Sequence, residues 1–234
     1  MAAQAKKLTS GLVLMVAFIV VFILIFMPIF GNDSHGQAQN GLNYLDNLYN
    51  TISKGSAYYI PKVTKDSEKY LGSQVELTLA LKDAKQAEMA AKLFIAGGAQ
   101  AQASGDKLKV SGGLGKIFAN ILADSDAMYH NQGEKVAQKY GAPERQVLYT
   151  WHQALTAMQK DLDRQKKFAE SKMADTIKTR GVECAYNYYG VQPQSIGDKW
   201  GIVLFSLAFY VVYTLWYGFG IMYIFEGIGL RLEH

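Results

Sequence analysis

Hydrophobic positions in this chain gather at its two ends, and nearly every charge lies between them. Residues 11–30 read GLVLMVAFIVVFILIFMPIF and residues 201–225 read GIVLFSLAFYVVYTLWYGFGIMYIF, neither with a charged side chain. A helix rises about 1.5 Å per residue, so roughly 20 apolar residues cross a hydrocarbon core about 30 Å thick. Each run therefore predicts a transmembrane helix. The organisation that follows is a tail at 1–10, a span at 11–30, a polar domain at 31–199, a second span at 201–225 and a tail at 226–234.

Shorter periods subdivide the polar stretch. Residues 31–41 form a polar linker. Leu42, Leu45, Leu48 and Ile52, with Tyr44 and Tyr49 alongside, recur at helical spacing, and Gly55 and Pro61 end that helix. Val75, Leu77, Leu79 and Leu81 alternate with Glu76, Thr78 and Ala80, as a half-buried strand does. Asp83 then caps a helix through Ala87, Ala90, Ala91, Leu93 and Phe94, which Gly97 and Gly98 close. AQAQA, SGD and KLKVSG read as a β-hairpin, giving a β-α-β-β unit with a small antiparallel or mixed sheet.

Helical period returns at Leu114 and runs through Ile117, Ile121, Leu122, Met128 and Val136 to Tyr140. After the break at GAP, residues 141–143, a long helix is expected from Glu144 to Arg180. Gly181 either interrupts it or lets it continue to Tyr189. Leu148, Trp151, Leu155, Met158 and Leu162 fall at 3-4-3-4 spacing, a seam for packing on another helix. The expected fold class is thus α+β and mostly helical, with two transmembrane helices flanking an extracytoplasmic domain that holds the sheet unit and the long helix.

Charge adds orientation. The net charge of +4 is mild, and no run of basic residues reaches three, which argues against nucleic acid as a partner. Lys6 and Lys7 precede the first span, whereas GNDSHGQAQNG after it has no Lys or Arg. The positive-inside rule then puts both termini in the cytoplasm and makes the chain a two-pass inner-membrane protein, a bias that Lys199 at the second span's entry weakens. The first run is too long for the apolar part of a signal peptide and is expected to stay as an anchor. The lone Cys184 permits no internal disulfide and reads as a small buried apolar residue.

Candidate chemistry is sparse. GGLGK at 112–116 lacks the first Gly and the hydroxyl residue of a phosphate loop and reads as a turn into a helix. His35, His130, His152 and His234 show no metal-ligand spacing, and the carboxylates of ADSDAMYHNQGE and QKDLDRQKK read as solvated helix faces. The expectation is no catalytic residue, no metal and no cofactor. Tyr186, Tyr188, Tyr189 and Trp200 precede the second span and read as an interfacial aromatic belt. Ser206, Tyr210, Tyr213, Tyr217 and Gly220 repeat at 4-3-4-3 along that span, so their hydroxyls share one stripe that ought to meet protein instead of lipid.

These readings give a non-catalytic accessory or structural subunit of a membrane assembly, working through its external domain and second span. Its partners are then the bilayer and other membrane subunits or copies of itself. The alternatives are a subunit of an oligomeric two-span channel or transporter, or a ligand-binding sensory subunit signalling through another chain, since residues 1–10 and 226–234 hold no output domain.

Overall fold

The computed structural model describes residues 2–33 and 36–230. His35, Arg231 and His234 lie outside these residues. The chain is mostly helical, with one three-stranded antiparallel sheet and two helices long and apolar enough to cross a membrane. It divides into two compact units, one made of residues 1–55 and 193–234 and the other of Ser56–Gln192. The division cuts into both ends of the stretch 31–199, because the first polar helix belongs with the apolar ones.

The apolar unit contains α1 (Ala2–Phe26), α2 (Gly41–Lys54) and α10 (Ile196–Gly227). α1 begins well before the apolar run and stops four residues short of its end, where Pro28 lacks the N–H a continuing helix needs. α10 likewise starts upstream, at Ser195, whose hydroxyl accepts the Gly197 N–H at 3.1 Å. α1 and α10 pack along each other. Glycines set how close they come. A Cβ on Gly11 would lie 2.7 Å from the Ile224 nitrogen, and one on Gly227 would lie 2.6 Å from the Leu8 Cα. Such small residues at a crossing let two backbones approach closely enough for dispersion to hold them. α2 is capped by the Asn40 side chain, which accepts the Asn43 N–H at 2.8 Å.

The second unit is built around α7 (Glu144–Arg164). Its seam residues Leu148, Trp151, Leu155, Met158 and Leu162 are fully buried. They meet several elements: α7 packs on α8 (Phe168–Ile177), α6 (Gly133–Tyr140), α4 (Ala84–Ala96) and strand β1 (Gln74–Ala80). Burying side chains of this size contributes about 1.5–3 kcal/mol each. β1, β2 (Gln100–Ser104) and β3 (Lys107–Gly113) are ordered β1-β3-β2, both pairs antiparallel. Val75, Leu77, Leu79, Leu108 and Val110 face inward beneath α4 and α7; Glu76, Thr78, Lys109, Ser111, Gln100 and Gln102 face outward. Asp83 caps α4 by accepting the Gln86 N–H at 2.8 Å, and Gly98 closes it at φ +81°, a conformation open to glycine at little cost. β3 runs straight into α5 (Leu114–Tyr129), so GGLGK is a strand end and a helix start. Gly115 there lies against backbone: a Cβ would stand 2.5 Å from the Leu71 Cα.

Three expected elements differ. Gly55 does end α2, but Pro61 ends nothing and instead opens α3 (Ile60–Ser67), since proline fits a helix's first turn. The helix from Leu114 to Tyr140 breaks after Tyr129, where Asn131 takes φ +59°. The helix from Glu144 to Arg180 breaks after Arg164, with Lys166 at φ +59°. Asparagine tolerates that conformation; lysine pays for it, and the seam's lapse at Gln165 is the sequence trace of the turn. Beyond Ile177 the rod continues through Gly181 as a π-helical turn, Lys178–Glu183, into α9 (Cys184–Tyr188). Ile177 and Val182 are both buried and five residues apart. A wider i→i+5 turn keeps both on the core face where an α-turn would rotate one away.

Candidate functional site

Two surface hollows and one buried network hold the polar chemistry of the Ser56–Gln192 unit. The first hollow, about 320 Å³, lies between α7 and the π-turn with α9. Leu148, Tyr149, His152 and Gln153 form one wall; Val182, Glu183, Tyr186 and Asn187 form the other. His152 Nε2 lies 2.9 Å from Glu183 Oε1 across it. The π-turn makes this pair possible, because the extra residue turns Glu183 toward α7. π-turns recur at functional positions. Arg145 stacks its guanidinium on Tyr186 and Tyr189, at 5.3 and 5.2 Å.

The second hollow, about 780 Å³, lies on the outer face of the sheet. Gln165, just past the C-terminus of α7, donates through Nε2 to the Glu76 carbonyl at 2.8 Å, and Asp161 Oδ2 accepts the Thr78 N–H at 3.0 Å. The two side chains take up the backbone groups that the edge strand β1 presents, which blunts that edge against further pairing. QKDLDRQKK is therefore not a uniformly solvated face: Asp161 is buried and structural.

Asp124 departs further from the solvated reading. It is 3% exposed and accepts from Tyr140 Oη at 2.5 Å, Trp151 Nε1 at 2.9 Å and Lys139 Nζ at 2.7 Å. Asn120 donates to the Tyr140 oxygen at 3.0 Å and accepts from Lys139 at 2.6 Å. A buried carboxylate is tolerated when its lone pairs are filled this way. Burial, then the Asp124 charge and its hydrogen bond, push the Tyr140 phenol well above its usual range. The signal was present in the sequence: Asp124 continues the 117–121–124–128 row of inward positions.

A cluster of rings lies where the chain enters and leaves this unit. Tyr58 stacks on Tyr129 at 5.0 Å and sits edge-on to His130 at 5.1 Å, and it donates to Asp126 Oδ1 at 2.5 Å. Desolvation, then that hydrogen bond, pushes the Tyr58 phenol up to about 12. Burial raises Tyr129 as well. Cys184 Sγ lies 3.1 Å from the Ala57 carbonyl, while the Asn131 amide accepts the Gly190 N–H at 2.7 Å and donates to the Val191 carbonyl at 3.1 Å. Of the expected aromatic belt, Tyr186 and Tyr189 stack under Arg145, and Tyr188 meets Tyr129 edge-on at 5.9 Å. Burial and a hydrogen bond to Glu144 raise the Tyr189 phenol. Trp200, in the apolar unit, is exposed on α10.

The stripe on α10 splits between neighbours. Ser206 lies 2.6 Å from the Tyr49 hydroxyl of α2. Tyr213 stacks on Phe18 at 4.3 Å and on Phe209 at 5.5 Å, and its buried hydroxyl has no partner among the described residues. Tyr217 tilts on Phe18 at 5.2 Å, and Gly220 faces Met15. Tyr210 points away from α1, 68% exposed. Sequence reasoning passed over two polar contacts that tie α1 to α10: Trp216 Nε1 donates to the Leu14 carbonyl at 3.1 Å, and Lys7 Nζ pairs with Glu226 at 2.6 Å. Among the described residues no three metal-ligating side chains converge, and His130 and His152 belong to different clusters.

No known protein family, curated protein or solved structure matches this chain.

Proposed function

We propose that this chain is a non-catalytic, two-span protein of a bacterial-type inner membrane, with both termini cytoplasmic. Its domain lies outside the cytoplasm, and it serves as an accessory or structural subunit of a membrane assembly. Tyr210 carries the reading. It sits midway along a 32-residue apolar helix, points away from the helix paired with α10, and has no hydrogen-bond partner for its hydroxyl among the described residues. A phenol facing hydrocarbon forgoes the hydrogen bond it has in water, so a protein acceptor on a neighbouring helix is the favourable solution. Two further features support a binding role over a catalytic one. Among the described residues no three metal-ligating side chains converge, and Asp124 has its acceptor sites filled by Tyr140, Trp151 and Lys139.

Photocrosslinking tests the proposal. The full chain carrying p-benzoylphenylalanine at position 210 is irradiated in its native membrane. A discrete adduct with one polypeptide, identified by mass spectrometry, is the expected result. Adducts with lipid alone would end the proposal.

A further inference from the structure

The two edges of the sheet are treated differently, and the difference points to a partner. Along β1, Glu76 and Thr78 turn their backbone groups away from β3, toward Gln165 and Asp161. Leu81, at odd position, donates instead toward β3's end at Asp106, 2.9 Å away. Thr78 stands opposite Lys109, and Lys109 stands opposite Gln102. In an antiparallel ladder the bonding direction alternates by residue, so Lys109 bonds toward β2 and Gln102 bonds back toward β3. The residues between, Ala101 and Ala103, therefore direct two N–H and two C=O groups to the free side of β2. Among the described residues none of these four groups has a partner. Among the described residues no side chain blunts this edge as Asp161 and Gln165 blunt the other.

We propose that the β2 edge pairs with β2 of a second copy of this chain, antiparallel and centred on Gln102. In that register Gln102 meets Gln102 of the second copy, Ala101 meets Ala103, and Gln100 meets Ser104. Ala101 and Ala103 then exchange N–H···O=C bonds in both directions, four in all, and every free group on both edges is satisfied. The three strands of each copy become one sheet of six. The strand QAQAS suits this pairing because it carries no charge, no proline and no bulky side chain. Its nearest charged neighbour on the outer face, Lys109, would stand three strand spacings from its counterpart, roughly 14 Å, beyond the screening length of about 8 Å at physiological salt. Four backbone bonds make a small interface, and holding both copies in one bilayer raises their effective concentration.

The test is disulfide trapping in membranes. The full chain carries Cys184→Ser and Gln102→Cys and is oxidised with copper phenanthroline. In the proposed register position 102 is a non-bonded pair with Cα atoms about 4.5 Å apart, within disulfide range. A covalent dimer is the expected result, with none from Thr78→Cys on the blunted edge. Adding Ala103→Pro, which deletes an N–H that makes no bond within the sheet, is expected to reduce the dimer at least fivefold. If that proline lowers the melting temperature, Gln102→Lys is placed in a chain carrying Gln100→Cys and Ser104→Cys. This opposes two like charges at the dimer centre and is expected to remove the cross-link. Absence of dimer from Gln102→Cys, a dimer indifferent to proline or lysine, or trapping of a different polypeptide would each overturn the proposal. Tyr210 plays no part in this edge, so the outcome is independent of the photocrosslinking result.

Discussion

Replacing Asp124 by alanine tests whether the buried network holds the domain together. Two donors lose their acceptor. The Trp151 indole N–H is fully buried and is left with only the Tyr140 oxygen beside it, and the Tyr140 hydroxyl proton has no other acceptor among the described residues, although its oxygen still accepts from Asn120. A buried donor left unpaired costs about 1–3 kcal/mol, so the pair sums to about 4 kcal/mol. Lys139 adds little, because it is about a third exposed and keeps Asn120. For a domain of this size about 1 kcal/mol corresponds to roughly 3–5 °C of melting temperature. Asp124→Ala is expected to lower the melting temperature of the full chain in detergent by about 10–20 °C, followed by circular dichroism. Tyr140→Phe removes one hydrogen bond without stranding the carboxylate, and should cost about 1 kcal/mol. Trp151→Phe combined with Asp124→Ala should cost less than the sum of the two, since the orphaned indole is then gone. A loss below about 3 °C for Asp124→Ala would refute the reasoning, because it would mean water reaches these groups.

Alkaline pH should weaken the same domain. Tyr58 holds its proton up to about 12 in the folded state, and Tyr129 and Tyr140 are raised too, against about 10 when unfolded. A raised folded value means their contribution is complete below about pH 10 and is lost as pH climbs through the folded value. Urea midpoints should therefore fall between about pH 10 and 12, less so in Tyr58→Phe; a flat profile would contradict this. Gly115→Ala forces a Cβ into the Leu71 backbone and should cost at least 1–3 kcal/mol. Gly72→Ala, where no atom lies within 4 Å of the new Cβ, should cost under about 0.5 kcal/mol in the same melts. In the apolar unit, Gly11→Leu and Gly227→Leu should abolish a cross-link between cysteines placed at Leu14 and Gly220, whose Cβ atoms would stand 3.7 Å apart, and Gly218→Leu, with open space around it, should not; equal cross-linking in all three would remove the case for glycine-controlled packing.

Long periods were readable in this sequence and short-range breaks were not. The two apolar runs, the strand 75–81 and the α7 seam each repeat one rule over many residues, so a single odd residue does not hide them. The breaks at Asn131 and Lys166 depend on one positive φ each, and lysine carries no bias toward it. The π-turn was encoded only as a five-residue gap between Ile177 and Val182, which looks like a phase error until the core on both sides is known. α3 was lost because Pro61 marks a helix start as well as a chain break, and only its neighbours' burial distinguishes the two.

The carboxylates show why site chemistry was harder to read than fold. Asp124 and Asp126 stand two residues apart on α5, and composition treats them alike. Two residues turn a helix by about 200°, so Asp124 faces Trp151 and Tyr140 while Asp126 meets Tyr58 at the surface. Asp161 differs from Asp163 in the same way, one holding the β1 edge and the other facing water. In each case the helical phase that locates the apolar seam also locates the buried acid. The same argument divides the α10 stripe. Residues 206, 213, 217 and 220 fall toward α1 and α2, and Tyr210, though in step by the 4-3-4-3 count, stands about 60° round the helix from Tyr213 and about 80° from Gly220 at 100° per residue, at the edge of that face, where it is 68% exposed. That phase leaves the Tyr210 hydroxyl outside the helix pair, which is why position 210 carries the proposed crosslinker.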